Sequence, residues 1–318
     1  MEKRVGSVSK RPFYQKKKFK DGVFILALVI IPLLNFLVFW IYVNIDTVLM
    51  TMQRFNIIKG GYEWIGFERY KEVFREYIFG LDGARAHFNI FLNSLRAIVI
   101  NAIILPLAYI SAFAFFKKIK WQKYFRICFY LPSIISVSVL TLSFRYMFHA
   151  DFGPLKILFA IMGFAPDWLG PESEVLWTLI YIFGIWAGLG MNVIMMNGAM
   201  LRIPEDVTEY GKLEGIGFWR EAFQIVLPLV MPTVSIYIMS VFVSVFSFSL
   251  HPMLIATNKG ANNKFYTIGW MVLDSVSIGS ENDMLLASTV GIAFTLVMTP
   301  VILAVRFITN KLTPDVEF

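Results

Sequence analysis

Residues 209–232, EYGKLEGIGFWREAFQIVLPLVMP, form a polar stretch with three glycines and two prolines, yet they lie between two long apolar runs. The 318-residue chain around them is 57% hydrophobic and only 16% charged. A soluble domain carries roughly 25% charged residues. Because a water-soluble fold could not cover so much apolar area, most of the surface must face lipid. The stretch is therefore a short polar connection in an integral membrane protein.

Six apolar runs are long enough to cross a bilayer as helices, which takes about 20 residues. A helix suits lipid because it satisfies its own backbone N–H and C=O groups. The predicted spans cover residues 23–43, 92–116, 127–148, 176–200, 223–250 and 285–308. We therefore predict an all-α, polytopic membrane protein with a basic tail over 1–22, a six-helix domain over 23–308 and a second tail over 309–318.

The basic residues predict how the spans are oriented. One cationic block, KRPFYQKKKFK, precedes the first span, and another, KKIKWQKYFR, joins the second and third spans. Lys and Arg near span ends stay in the cytoplasm, so six spans leave both termini cytoplasmic. The connections on the outer side, 44–90, 150–175 and 256–284, mix charged and aromatic residues, which indicates short amphipathic segments at the membrane surface.

Several function classes are disfavoured by what the sequence lacks. The net charge of +7 is gathered in the two cationic blocks and forms no stripe with stacking aromatics, so no nucleic-acid partner is expected. Cys128 is the single cysteine, so no disulfide or cysteine-based zinc site is expected. The chain has neither a G-x-x-x-x-G-K-[ST] phosphate loop nor an H-E-x-x-H helix. We therefore predict no catalytic residue, no metal ligand and no ATP hydrolysis by this chain itself.

The polar connection between the fourth and fifth spans, 201–222, is patterned as two short helices under the membrane. Pro204 suits the first helical position, and Glu205 and Asp206 suit the positive end of a helix. A second short helix is expected over 218–223. The glycines predicted to interrupt the first helix and form the turn are Gly211, Gly215 and Gly217.

This connection resembles the EAA loop, the signature of permease subunits of ATP-binding cassette importers. The family pattern is E-A-A-x-x-D-G-A followed by I-x-L-P, and the loop docks as a coupling helix into a cleft of the ATPase subunit. The residues that carry the resemblance are Glu209, Gly215, Ile225, Leu227 and Pro228.

The pattern is matched with substitutions. Tyr210 and Gly211 stand at the two alanines, Glu214 at the aspartate and Ile216 at the last alanine. The acid and the glycine are kept, so the resemblance implies docking on an ATPase. A solvated loop without a partner is disfavoured, because it would expose an aromatic pair to water. The residues expected to couple to the ATPase are Glu205, Glu209, Gly211, Glu214, Gly215, Gly217 and Trp219.

Other stretches along the chain are similar to segments of sugar permeases of the maltose and glycerol-3-phosphate transporter type. They are WIGFERYKEVF, FLNSLRAIVI, FRICFYLPSIISVSVLTLSFRYMF, GLGMNVIMMNGAMLRIPEDVTE and TNKG followed by FYTIGWMV. The resemblance implies the type I importer permease fold in a bacterial cell membrane and a sugar substrate. It also implies three protein partners: a second homologous permease subunit, an ATPase dimer that binds ATP and Mg, and an extracellular solute-binding protein.

The family also implies a substrate cavity near the membrane midplane, between the fourth and fifth spans. Aromatic rings and hydroxyl or amide groups suit a sugar. Small residues and serines at helical spacing serve equally well in packing helices against each other. The candidate substrate residues are Trp186, Gly188, Met191, Asn192, Ser240, Ser244 and Ser247.

Ionisable residues within or near the spans leave other hypotheses open. Arg96 and Arg145 lie near outer span ends, which favours anchoring at the membrane interface. No pair of midplane acids typical of a proton-coupled carrier is present. Six spans and a polar stripe would still permit a self-sufficient channel or secondary carrier, and the permease fold would permit another small solute. A membrane enzyme is disfavoured, because no reactive cluster is found at midplane depth.

Overall fold

The computed structural model describes residues 17–81, 83–149, 151–163, 168–170 and 172–312. Most of the predicted N-terminal tail and the end of the C-terminal tail lie outside these residues. The helices of the described part are α1 (Lys17–Asn35), α2 (Val43–Met50), α3 (Glu68–Val73), α4 (Arg85–Phe116), α5 (Gln122–Ile134), α6 (Val137–Met147), α7 (Pro154–Ile161), α8 (Leu176–Met200), α9 (Glu205–Leu213), α10 (Phe218–Arg220), α11 (Leu227–Ser247), α12 (Leu250–Ala256), α13 (Ile268–Ile278) and α14 (Glu281–Leu312).

Short π-helical and 3-10 segments complete the helical structure. Phe36–Tyr42 joins α1 to α2, Phe74–Ile78 extends α3, and Glu221–Val226 joins α10 to α11. A 3-10 turn covers Ala261–Asn263. The first and fifth predicted spans therefore form long, nearly continuous helices.

Five helices in the described residues are long and apolar enough to cross a membrane, and the count is six if one bent pair forms a single span. The five are Asp21–Met50, Arg85–Phe116, Leu176–Met200, Phe218–Ser247 and Glu281–Lys311. The predicted all-α membrane fold is confirmed, and α8 has the predicted bounds of the fourth span.

The third predicted span is not one helix. α5 and α6 meet at 105°, and Ile135 between them has an extended backbone, with φ −81° and ψ 141°. The prediction of a continuous helix over 127–148 is therefore wrong. Pro132 in the last turn of α5 removes one backbone donor and favours a helix end there. Broken backbone at membrane depth is tolerated where it borders protein or a cavity.

The core is built around α4, which packs against α8 and α11. Glycines on α8 allow its neighbours to approach closely. A Cβ at Gly188 would lie 2.8 Å from Ile104 Cδ1 of α4, and a Cβ at Gly190 would collide with the carbonyl oxygen of Phe129 in α5. The amide of Asn197 also donates to Ala112 O of α4 at 3.2 Å. These contacts identify α8 as the helix that joins α4 to the broken third span.

The first predicted outer segment contains a β-hairpin that the sequence analysis did not predict. Strand β1 (Gln53–Asn56) pairs antiparallel with β2 (Gly61–Trp64). The Asn282 side chain at the start of α14 accepts from Phe55 N and donates to Phe55 O, both at 2.9 Å. Tyr62 Oη donates to Glu281 Oε2 at 2.8 Å. The hairpin is thus bound to the last helix.

Candidate substrate cavity and coupling segment

Residues 201–222, the coupling segment, begin with the predicted short helix. Pro204 precedes α9, and Glu205 and Asp206 occupy its first turn, where acids suit the helix dipole. After Leu213 the chain turns at Gly215, which has φ +69°, a region that favours glycine. Ile216 N donates to Gly211 O at 3.0 Å and closes the turn. The first helix and the glycine turn are therefore confirmed.

Two details of the predicted coupling segment are wrong. Gly211 does not interrupt α9 but lies buried inside it, where an added Cβ would be 3.3 Å from Ile225 Cδ1. Its role is close packing. The predicted second short helix is also not separate, because α10 continues through a π-helical segment into α11. Gly217 has an ordinary extended backbone and open space around it, so this geometry does not require glycine.

One side of the coupling segment is an exposed surface of acidic and apolar side chains. Tyr210 is 70% exposed, Leu213 is 83% exposed, and Trp219 is also exposed to solvent. The carboxylates of Glu205, Glu209 and Glu214 belong to exposed residues of the same segment. Exposed aromatic and large apolar groups mixed with charge are typical of protein-binding surfaces.

The other side of the segment is fixed to the end of α4. Lys117 Nζ lies 2.9 Å and 2.7 Å from the two carboxylate oxygens of Glu221, which is buried. Tyr109 Oη donates to Ala222 O at 2.5 Å, and the Phe113 and Phe218 rings pack edge to face at 4.8 Å. Sequence reasoning missed this anchor, because Lys117 was interpreted only as part of a topogenic basic block.

A cavity of about 390 Å³ lies between α4, α6 and the end of α11. Asn101, residue 17 of the 32 in α4, places it halfway along that helix, and Val137 places it beside the break between α5 and α6. The Asn101 amide donates to Ser244 Oγ at 3.0 Å. The cavity is lined by Ala97, Asn101, Val137, Ser244, Ser247, Phe248, Ser249, Leu250 and His251.

The structure brings two of the predicted substrate residues to this cavity, Ser244 and Ser247. Ser240, one turn earlier, is exposed and donates to Ile236 O at 3.0 Å. Ser244 and Ser247 therefore lie on the part of α11 that lines the cavity, and Ser240 does not.

The α8 candidates do not line the cavity. Trp186 and Met191 are exposed, and the Asn192 amide donates to Gly188 O of its own helix at 2.7 Å. Gly188 itself packs against α4. Direct substrate contact by these four residues stays a prediction.

Sequence reasoning missed Asn101 and His251 as cavity residues. The available signal for Asn101 was an amide in the middle of an apolar run, which is costly in lipid unless it finds a partner. His251 directly follows the predicted end of the fifth span at residue 250, and its ring packs edge-on against Phe183 at 5.0 Å. In the described part of the chain, no group of three or more His, Cys, Asp or Glu residues could hold a metal ion.

Comparison with known proteins identifies the family. Residues 104–318 match the family model of the binding-protein-dependent transport system inner membrane component. The chain belongs to this family. It is thus the membrane permease component of an ATP-binding cassette transporter, in which ATP is hydrolysed by a separate subunit, and the resemblance found in the sequence is confirmed.

Members of the family with curated descriptions extend over most of this permease. It is 26% identical over 208 residues to the probable ABC transporter permease protein YurN of Bacillus subtilis, covering 63% of this chain and 68% of YurN. It is 21% identical over 321 residues to the diacetylchitobiose uptake system permease protein NgcF of Streptomyces coelicolor, covering 95% of this chain and 86% of NgcF.

A solved structure shows the same fold. A chain of a bacterial ABC transporter involved in the import of the acidic polysaccharide alginate superimposes with a TM-score of 0.79 at 16% identity. The match covers 94% of this permease and 99% of that chain. The type I importer permease fold is therefore confirmed.

Proposed function

We propose that this permease moves a sugar or oligosaccharide inward, by alternating access driven by an ATPase dimer docked on the coupling segment. The observation that carries the proposal is the anchor between that segment and α4. Lys117, the residue that follows α4, holds Glu221 and lies 16 residues, or about 24 Å, beyond Asn101, which lines the cavity. One helix therefore connects the proposed docking surface to the proposed substrate cavity.

The cycle follows from these connections. ATP and Mg bind to the ATPase dimer, and its closure displaces α9. Because the segment is continuous with α11 and ion-paired to the end of α4, the displacement reaches two of the helices that border the cavity. The inward-open and outward-open states are each favoured by their own ligands. This chain contributes mechanical coupling and needs no cofactor of its own.

The polar groups at the cavity suit a hydroxyl-rich ligand. An amide, three serine hydroxyls and an imidazole can donate to and accept from sugar hydroxyls. The description of NgcF as part of a diacetylchitobiose uptake system supports a carbohydrate over other small solutes.

The assembly implied by this function fixes the orientation we propose. The coupling segment and both termini face the cytoplasm, and the hairpin faces the exterior, where a solute-binding protein delivers the sugar. A second homologous permease subunit completes the path across the bacterial cell membrane. The name of the family, binding-protein-dependent, supports the extracellular partner.

Docking is tested by reversing charge or adding bulk on the coupling segment. We expect Glu209→Lys or Gly215→Arg to abolish co-purification of the ATPase, because Glu209 is exposed and Gly215 has a backbone that disfavours side chains. Glu68→Lys, the same charge change at an exposed residue of α3, should retain the ATPase. Retention in both coupling variants, or uptake by this chain alone without ATP, would contradict the proposal.

Substrate handling is tested at Asn101. We expect Asn101→Leu to lower sugar uptake about tenfold while the ATPase stays bound, because the change removes a polar group from the cavity and leaves its volume nearly unchanged. Uptake into vesicles by the reconstituted transporter measures this. Asn44→Leu, on the exposed face of α2, is the matched control. Equal uptake by Asn101→Leu and the control would remove Asn101 from the substrate path.

A further inference from the structure

A second cavity of about 270 Å³ lies near the N-terminal end of α4, and three of the side chains that line it are charged. It is lined by Asn89, Asn93, Arg96, Glu174, Trp177 and Lys264. Asn89, Asn93 and Arg96 recur at intervals of four and three residues and therefore share one face of α4. The deeper cavity begins at Ala97, one turn after Asn93.

Arg96 is the group that the proposed cycle leaves without a role. Its guanidinium carbon lies 4.2 Å above the ring of Trp177, which is buried. The Trp177 indole is held in turn, because its Nε1 donates to Lys264 O at 3.1 Å. The structure thus stacks the half-buried Arg96 on a buried aromatic ring, and its predicted role as an anchor at the membrane interface stays a prediction. No carboxylate or hydrogen-bond acceptor pairs with Arg96 in the residues that the structure describes.

The cavity therefore has an uncompensated positive charge. Lys264 Nζ lies 2.8 Å from Glu174 Oε1, so these two charges compensate each other. Arg96 is half-buried, and its charge has lost part of its hydration without gaining an anion. A partly desolvated cation of this kind favours an anionic ligand. A guanidinium also offers paired N–H donors that match a carboxylate.

The loop opposite α4 is held against that helix by hydrogen bonds. The Asn93 amide nitrogen lies 3.2, 3.0 and 3.0 Å from the carbonyl oxygens of Asn263, Lys264 and Tyr266. The Asn89 amide donates to Asn262 O at 2.9 Å. The loop before α13 is therefore fixed on α4 and keeps its shape without a ligand. Such preorganisation lowers the entropic cost of binding.

We propose that this outer cavity is a subsite for one acidic saccharide unit, whose carboxylate pairs with Arg96 on its way to the deeper cavity. The inference rests on the proposed carbohydrate import and narrows its substrate class to saccharides that carry uronate-type carboxylates. The volume of about 270 Å³ lies just below the roughly 300–1,000 Å³ of drug-sized ligand sites, which suits a single sugar ring. The deeper cavity begins only one turn further along α4, which favours a transported ligand over a carboxylate side chain of the solute-binding protein.

The test compares a uronate trisaccharide with its carboxyl-reduced, neutral counterpart in the reconstituted transporter with all its subunits and binding protein. The readout is the concentration of each sugar that half-stimulates ATP hydrolysis. We expect the wild type to favour the acidic sugar by about tenfold or more, and Arg96→Gln to abolish the preference. Arg96→Lys should keep part of it, because lysine retains the charge without the planar pair of donors.

Arg85→Gln is the matched control, since Arg85 is an exposed arginine on the first turn of the same helix. Stimulation by the neutral sugar alone would overturn this inference and leave carbohydrate import intact. Stimulation by neither sugar would count against the proposed function as well. An equal loss for both sugars in Arg96→Gln would assign Arg96 to binding-protein contact or to structure, and would also overturn the subsite.

Discussion

Glu221→Ala is expected to destabilise the permease by about 3 kcal/mol and to detach the coupling segment from α4. The substitution leaves Lys117 without its carboxylate, and the Lys117 side chain is only 21% exposed. Removing one partner of a buried pair costs about 3–5 kcal/mol, and the remaining exposure of Lys117 places the expected value at the lower end. Thermal unfolding of the purified complex measures the loss.

A double variant separates charge from packing at the same position. Lys117→Met with Glu221→Leu removes both charges and keeps most of the volume, so we expect it to recover more than half of the lost stability. We also expect Glu221→Ala to hydrolyse ATP with reduced sugar uptake, because the connection between segment and cavity is weakened. A Glu221→Ala transporter with normal stability and normal uptake per ATP would show that the ion pair is not the connection.

Gly190→Ala is expected to destabilise the permease by about 1–3 kcal/mol, although the change adds a single methyl group. That methyl would collide with the Phe129 carbonyl oxygen, which belongs to the backbone of α5 and cannot rotate away as a side chain could. α8 and α5 must then separate. Since the break after α5 borders the deeper cavity, sugar uptake should fall as well.

The matched control lies two turns further along the same helix. Gly198 has no heavy atom within 4 Å of the position where a Cβ would be built, so Gly198→Ala should be neutral or stabilising by up to about 1 kcal/mol. Equal thermal stabilities of the two alanine variants would show that α8 and α5 do not pack as described.

Apolar runs were enough to predict where the long helices lie, because a lipid-facing helix needs little more than length and hydrophobicity. The same reasoning failed at the third span, since residues on both sides of Ile135 are equally apolar and hydropathy does not report backbone direction. Pro132 was the one residue nearby that could have indicated a helix end before Ile135. The hairpin was not predicted because each of its strands has only four residues, which are too few for a clear alternation of polar and apolar side chains.

The candidate site was predictable where local chemistry determines the structure. Pro204 and the acids after it indicate the start of α9, and Gly215 indicates the turn. Gly211 was misinterpreted, because a glycine within a helix costs only about 1 kcal/mol and here permits contact with Ile225. Pairing between distant elements, such as Lys117 with Glu221, depends on tertiary packing that one sequence does not display.

The two hydrogen bonds between Asn282 and Phe55 have a mechanical consequence. The Asn282 amide both donates to and accepts from the backbone of Phe55, as a neighbouring strand would. The hairpin and α14 are therefore expected to move as one rigid unit. With 32 residues, α14 extends about 48 Å. A force applied to the hairpin by a docked protein would therefore be transmitted along α14 to the opposite membrane surface.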